Sequence, residues 1–231
     1  MVLLESPLAL AAVIFAAAFL AGAIPLWRKV ADQQNLLTWL TGLAAGVLLA
    51  SALLVAIPEG FDIAGQGDLG PLLIGGAVLA GFLAMLLLEA LGFGHDIHEE
   101  HHDHEHEHGH DHVHHPAKAN SVVIGLSVHA LTDGLAIGAA VSTGSLVLTM
   151  SVFIAVLAHK VPAAFSVGVF SMHERQDRNK AVRDVALFSL ATPITILLTA
   201  YLLGDIDAHL LGLAILFAGG TFLYVATVDV L

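Results

Sequence analysis

The stretch SVHALTDGLAIGAA (127–140) sets an imidazole, His129, and a carboxylate, Asp133, inside a run otherwise made of Ala, Gly, Leu, Ile, Val, Ser and Thr. Residues four apart share one face of an α-helix, one turn from each other, so the spacing predicts a His/Asp pair aligned along one side. The surrounding residues are apolar on every face rather than along a single stripe, which is the pattern of a helix enclosed by lipid or by other apolar helices. Two ionisable groups in such a setting need a reason, because a charge at mid-bilayer costs several kcal/mol.

The rest of the chain supplies the membrane context. Of 231 residues, 57% are apolar and only 12% charged, against about half and about a quarter in soluble domains. Crossing about 30 Å of hydrocarbon takes about 20 apolar helical residues, and seven segments provide them: 7–27, 36–58, 70–93, 121–143, 146–171, 181–203 and 208–230. The expected fold is an all-α polytopic membrane protein of seven transmembrane helices, a single transporter-like domain over 1–231. A net charge of −12 excludes a nucleic-acid partner, since phosphate binding needs basic surface. The absence of cysteine excludes disulfides, thiolate metal sites and thiol catalysis. The first helix is not a cleaved signal, because Glu5 precedes it and Arg28-Lys29 follow it, the reverse of a signal's charge order.

Orientation follows from the eight basic residues. Arg28 and Lys29 fall between helices one and two, Lys118 between three and four, and Arg175, Arg178, Lys180 and Arg183 between five and six. These alternate connections share one side, which the positive-inside rule makes cytoplasmic, leaving the amino terminus outside. The opposite connections carry Glu59, Asp62, Asp68, Asp205 and Asp207 and no basic residue. Lys160 alone lies within a helix.

GVLLASALLVAIPEG (46–60) echoes GTFLYVATVDVL (220–231) when Gly46 is set against Gly220, with Leu49/Leu223 and Ala52/Ala226 also coinciding. The two segments run in opposite directions, so an inverted-repeat transporter architecture is expected. The chain stops where Pro58-Glu59 would have counterparts, and a truncated chain lacking one further helix is expected.

Histidine is the other unusual feature. Eleven of fifteen histidines fall in HDIHEEHHDHEHEHGHDHVHH (95–115), among seven carboxylates. Such a composition cannot build a packed core, so 95–119 is expected to be a disordered, cytoplasmic, His-rich loop. Imidazoles and carboxylates bind zinc and related divalent ions, which makes the loop either a metal buffer or sensor beside a pore, or a dispensable insert that binds metal incidentally. His173 and His209 fall at helix ends and call for no special role.

The fifth helix carries LAHKVPAAF (157–165), with His159 and Lys160 just before Pro162. Proline lacks the N–H that would close a helix bond, which frees a carbonyl near Ala158 and predicts a break, tolerated at membrane depth where it lines a cavity. Helices four and five run antiparallel from opposite sides, so His129, Asp133 and His159 should meet near mid-membrane. A neutral imidazole beside a carboxylate is half of a zinc site.

At these residues the chain resembles the ZIP (Zrt-, Irt-like protein) family of divalent-metal transporters. HALTDGLAIG (129–138) resembles that family's fourth-helix HNxxDGxAIG, and HKVPAAF (159–165) matches the fifth-helix pattern of one branch, where most members have HExPxE or HExPH. The segments at 46–60 and 220–231 resemble the family's second and seventh helices. The resemblance implies eight helices with both ends outside, alternating access, and metal ligation by His129, Asp133 and His159. It also exposes departures. Many members use an Asn after the helix-four His and an acid after the helix-five His to build a second metal site, and here these are Ala130 and Lys160. A single site is therefore expected, with Lys160 standing in electrostatically for a second metal. Ala163 replaces another frequent acid, leaving the fourth ligand to water, Ser51, Thr132 or an unplaced carboxylate.

Glu59 at the outer end of helix two, and Glu89 and Asp229 near inner ends, are expected at an entrance and exit. The expected function is inward movement of zinc, or of iron, manganese or cadmium, as transported substrate at the cell membrane, without an organic cofactor, in a lipid bilayer and as a homodimer. An intramembrane protease would need HExxH, and Lys160 occupies the glutamate's position, so no enzyme is expected. A proton-coupled metal exporter and a non-transporting metal sensor or receptor are the alternatives. An exporter of the cation-diffusion type would carry a soluble carboxy-terminal domain and has no use for HKVPAAF.

Overall fold

Backbone amides surrounded by hydrocarbon have no water to bond, so each apolar segment closes its own hydrogen bonds as a helix. The computed structural model describes residues 6–27, 34–92, 119–202 and 207–228. They form α1 (Pro7–Trp27), α2 (Gln34–Ser51), α3 (Ile57–Gly65), α4 (Pro71–Ala90), α5 (Ala119–Ser142), α6 (Leu146–Arg175), α7 (Arg178–Leu202) and α8 (Ala208–Val228), with no strand among the described residues. A π-helical turn, Ala52–Ala56, joins α2 to α3, making one continuous span. Among the described residues seven helices are long and apolar enough to cross a membrane, and the chain is an all-α polytopic membrane protein. The first span coincides with its expected limits, and α5 and α6 are the expected fourth and fifth. The tract 95–118, Arg28, Lys29, Asp205 and Asp229 lie outside the described residues, while Ala119 already belongs to α5.

The second span departs most from expectation. It does not end at 58 but continues to Gly65 through the π turn. Pro58 explains both features. Its ring would strike the carbonyl of Leu54 and it has no N–H to offer there, so the chain takes one extra residue in the preceding turn, and the Ile57 N–H bonds five residues back to the Ala52 carbonyl. With that adjustment Pro58 sits in the first turn of α3, where a missing N–H costs nothing. Glu59 is consequently inside the helix, half-buried, and not in a loop. Pro162 behaves differently. The expected break does not occur: α6 runs unbroken through it, and the Ser166 hydroxyl donates to the Pro162 carbonyl (3.1 Å) one turn later.

The basic residues expected in a loop between α6 and α7 are helical instead. Only Gln176 and Asp177 separate the two helices, with Gln176 in the left-handed region (φ 47°) to reverse the chain. The Asp177 carboxylate accepts from the Asn179 and Lys180 N–H groups, capping α7. Asp184, buried, receives Arg175 Nε at 2.8 Å and an Arg183 guanidinium nitrogen at 3.1 Å, which ties the end of α6 to the start of α7.

Close helix approach is written in small residues, as expected where lipid tails remove any hydrophobic preference for packing. A Cβ on Gly81 of α4 would strike the Phe217 carbonyl of α8, and one on Gly220 would strike the Val78 carbonyl of α4. Gly134 and Gly138 of α5 lie likewise against α7, at Thr192 and Thr199. Packing is most extensive between α5 and α7, between α4 and α8, between α1 and both α6 and α7, and between α3 and α8, with α2 against α6. Of the echoed positions, Ala52 and Ala226 are both buried in one core cluster, whereas Gly46 faces open space and Gly220 is clamped.

Candidate metal centre

Residues 143–145 reverse the chain between α5 and α6, so the two helices pack antiparallel and set their central residues against each other. Gly144 makes this turn with φ +71°, and the Ser145 hydroxyl caps α6 by accepting from the Leu148 N–H (3.3 Å). Near the midpoint of both helices His129, Asp133 and His159 converge. One ligand atom from each lies within 4.8 Å of the others, and all three residues are buried.

The carboxylate is the hub. Asp133 Oδ1 is 3.6 Å from His129 Nε2 and 3.4 Å from His159 Nε2, and its other oxygen receives the Lys160 ammonium at 3.0 Å. His159 Nδ1 lies 3.0 Å from the Ala155 carbonyl. A carbonyl can only accept, so Nδ1 carries the proton and Nε2 is left as a lone pair aimed at the carboxylate. Two acceptors facing each other at 3.4 Å are unfavourable unless a proton or a cation lies between them. His129 Nδ1 is buried and makes no hydrogen bond. Two imidazoles and a carboxylate form the donor set of a zinc site with an open position.

The surroundings restrict the site tightly. Lys160, 1% exposed, lies with Nζ 4.1 Å from the centroid of the Phe188 ring, a cation–π contact that helps offset its burial. Phe222 of α8 sets its ring steeply inclined to both imidazoles, at centroid distances of 5.5 Å from His129 (interplanar angle 73°) and 5.4 Å from His159 (63°). The neighbouring Thr221 hydroxyl is 2.8 Å from that of Thr132 on α5, and Thr192 of α7 donates to the Ala130 carbonyl at 2.8 Å.

The sequence-derived positions therefore divide. His129, Asp133, His159 and Lys160 come together. Of the hydroxyls considered as a fourth ligand, Thr132 bonds the His129 carbonyl (2.7 Å) and Thr221, and Ser51 bonds the Val47 carbonyl (2.7 Å). Glu59 and Glu89 are half-buried on α3 and α4, away from the cluster, and Asp229 is outside the described residues. Phe222, Phe188 and Thr221 escaped the sequence reading, because an aromatic or hydroxyl residue in an apolar helix carries no local signal of what it will meet. His209 bonds the Ile63 carbonyl through Nδ1 (3.2 Å), tying α8 to α3.

Residues 93–231 match the family described as ZIP zinc transporter. A protein of Micropogonias undulatus named zinc transporter ZIP9 is 33% identical, over 92% of this chain and 80% of its own length. Xenopus laevis zinc transporter ZIP9-A is 34% identical with the same coverage. The chain belongs to the ZIP zinc transporter family. Macaca fascicularis zinc transporter ZIP9 is 44% identical over a shorter stretch, 47% of this chain and 48% of its own. The ZIP proteins are transporters and not enzymes, so the buried cluster belongs to a transporter fold.

Proposed function

We propose that this ZIP protein moves zinc, or a similar divalent cation, across the bilayer and into the cytoplasm through His129, Asp133 and His159. The observation that carries the reading is the convergence of two imidazoles on one buried carboxylate near the middle of two membrane helices. Ligands at that depth must hold an ion firmly enough to strip its water and loosely enough to release it. Three protein donors with a replaceable fourth suit transport better than a closed structural cage. Similarity to proteins named zinc transporters supports zinc as substrate.

The donors come from α5, packed chiefly on α7, and α6, packed chiefly on α1, whereas the wall facing them comes from α8, which packs chiefly on α4 and α3 and also touches α5. Movement of one group against the other would open the centre to each side in turn, the alternating access common among transporters. The amino terminus lies outside, at the cell membrane, and the tract 95–118 lies in the cytoplasm. A cytoplasmic sink of imidazoles lowers free metal on the receiving side and favours net movement inward. Lys160 fills the charge of a second cation, so the centre carries one ion at a time.

Expressed in cells, Asp133→Ala and His159→Ala should each abolish zinc uptake while surface abundance persists. Uptake unchanged in both rejects the site. Zinc bound to the purified full chain, minus that bound to Asp133→Ala, should equal one ion per chain; two would reject the role of Lys160.

A further inference from the structure

The third wall of the centre is not a donor but an aromatic ring. We infer that Phe222 is a specificity-determining residue, limiting how many water molecules an ion in the centre keeps and so favouring zinc over ions that need a larger coordination sphere. This rests on the transport reading above and goes beyond it by assigning the selectivity.

Zinc has no d-electron geometric preference and is content with four ligands, whereas manganese and magnesium favour six, mostly oxygen. An ion held by His129, Asp133 and His159 needs one further ligand to be four-coordinate and three to be six-coordinate. Room for the extra ligands is taken from two directions. Lys160 Nζ occupies the second oxygen of Asp133 at 3.0 Å and repels cationic charge there. Phe222, 1% exposed, sets its ring against both imidazoles at once and offers a water no hydrogen-bond acceptor.

The ring cannot readily yield. The residue before it, Thr221, is held to Thr132 of α5, hydroxyl to hydroxyl at 2.8 Å. Gly220, one position earlier, is pressed against the Val78 carbonyl of α4. Residues 220 to 222 are thus fixed on both flanks of α8, with Phe222 as the projecting group. A cavity lined only by carbon stays dry, but space vacated here would border two imidazoles and a carboxylate, enough polar partners to hold water.

The test uses Phe222→Ala and, as a milder change that retains an apolar side chain, Phe222→Leu, both in the full chain. Cobalt serves as the spectroscopic probe. The component of its visible absorption that Asp133→Ala removes reports the central site and excludes the histidine tract. In the unsubstituted protein that component should show the intense bands of four-coordinate cobalt. In Phe222→Ala it should weaken to the pattern of five or six ligands, with Phe222→Leu between. In proteoliposomes the ratio of zinc to manganese uptake should fall about tenfold for the alanine variant, the scale on which reshaping a pocket changes discrimination, and less for leucine. If Phe222→Ala does not fold, Phe222→Leu must still move both readouts in that direction. An unchanged spectrum and uptake ratio in the variants that fold overturns the inference. Failure of the transport reading looks different: the unsubstituted protein would then show no Asp133-dependent component, or no zinc uptake in proteoliposomes.

Discussion

Asp133 has three polar neighbours within hydrogen-bonding or ion-pairing reach, the imidazoles of His129 and His159 on one oxygen and the amino group of Lys160 on the other. Lys160 therefore does more than fill space: without a metal ion it is the group that balances the buried carboxylate. Removing one partner of a buried ion pair leaves the other uncompensated and costs about 3 kcal/mol or more. Lys160→Met should lower the melting temperature of the metal-free protein in thermal unfolding, and zinc should raise it further in the variant than in the parent, because the ion then replaces the missing cation. Equal stabilisation by zinc in both would separate Lys160 from the metal centre. At this scale the site was largely legible. Four-residue spacing on one helix and a His-Lys pair on the next were enough to bring four side chains together on paper. The aromatic wall was not legible, because Phe222 differs from its apolar neighbours only in what it touches across the bundle.

At the scale of elements, Pro58 and Pro162 have opposite consequences from the same chemistry. Before Pro58 the helix takes an extra residue and becomes π over Ala52–Ala56, whereas around Pro162 it continues as α. Composition does not distinguish these outcomes, since both prolines interrupt apolar runs, and an all-apolar helix has no stripe whose phase would reveal an inserted residue. That inserted residue rotates everything beyond it by about 100°, which sets the direction in which Glu59 and Asp62 project. Pro58→Ala restores the missing N–H. With the ring's clash also gone, the span can continue as α-helix without the extra residue, and zinc uptake should slow because α3 is re-phased, with the melting temperature no lower than the parent's. Uptake and stability both unchanged would show that the π turn does not depend on Pro58. The glycines were legible as residues but not as contacts. Gly220 and Gly46 occupy equivalent places in the sequence echo, yet one is clamped against α4 and the other open. Gly220→Leu should disrupt the α4–α8 contact by at least the 1–3 kcal/mol that overpacking costs, seen as loss of folded protein in size-exclusion chromatography, whereas Gly46→Leu should be tolerated.

For the whole molecule, the seven spans, their all-α class and the antiparallel meeting of α5 and α6 were readable from hydropathy and the short links alone. Helix ends were read less well wherever charged residues continue a helix past the apolar run, as Arg175 does in α6 and Arg178 and Lys180 do in α7. The histidine-rich tract and the buried centre are separate in the chain and should separate in function. Deleting 95–115 should leave zinc uptake at saturating metal intact while reducing the number of zinc ions bound per chain; loss of uptake would make the tract part of the transport path. The central claim is that metal crosses at His129, Asp133 and His159. Its most direct measurement is zinc flux into proteoliposomes of defined protein orientation, comparing the unsubstituted chain with Asp133→Ala. Flux that runs from the amino-terminal face to the opposite face, and that the substitution abolishes, is the predicted result; flux that persists in Asp133→Ala contradicts it.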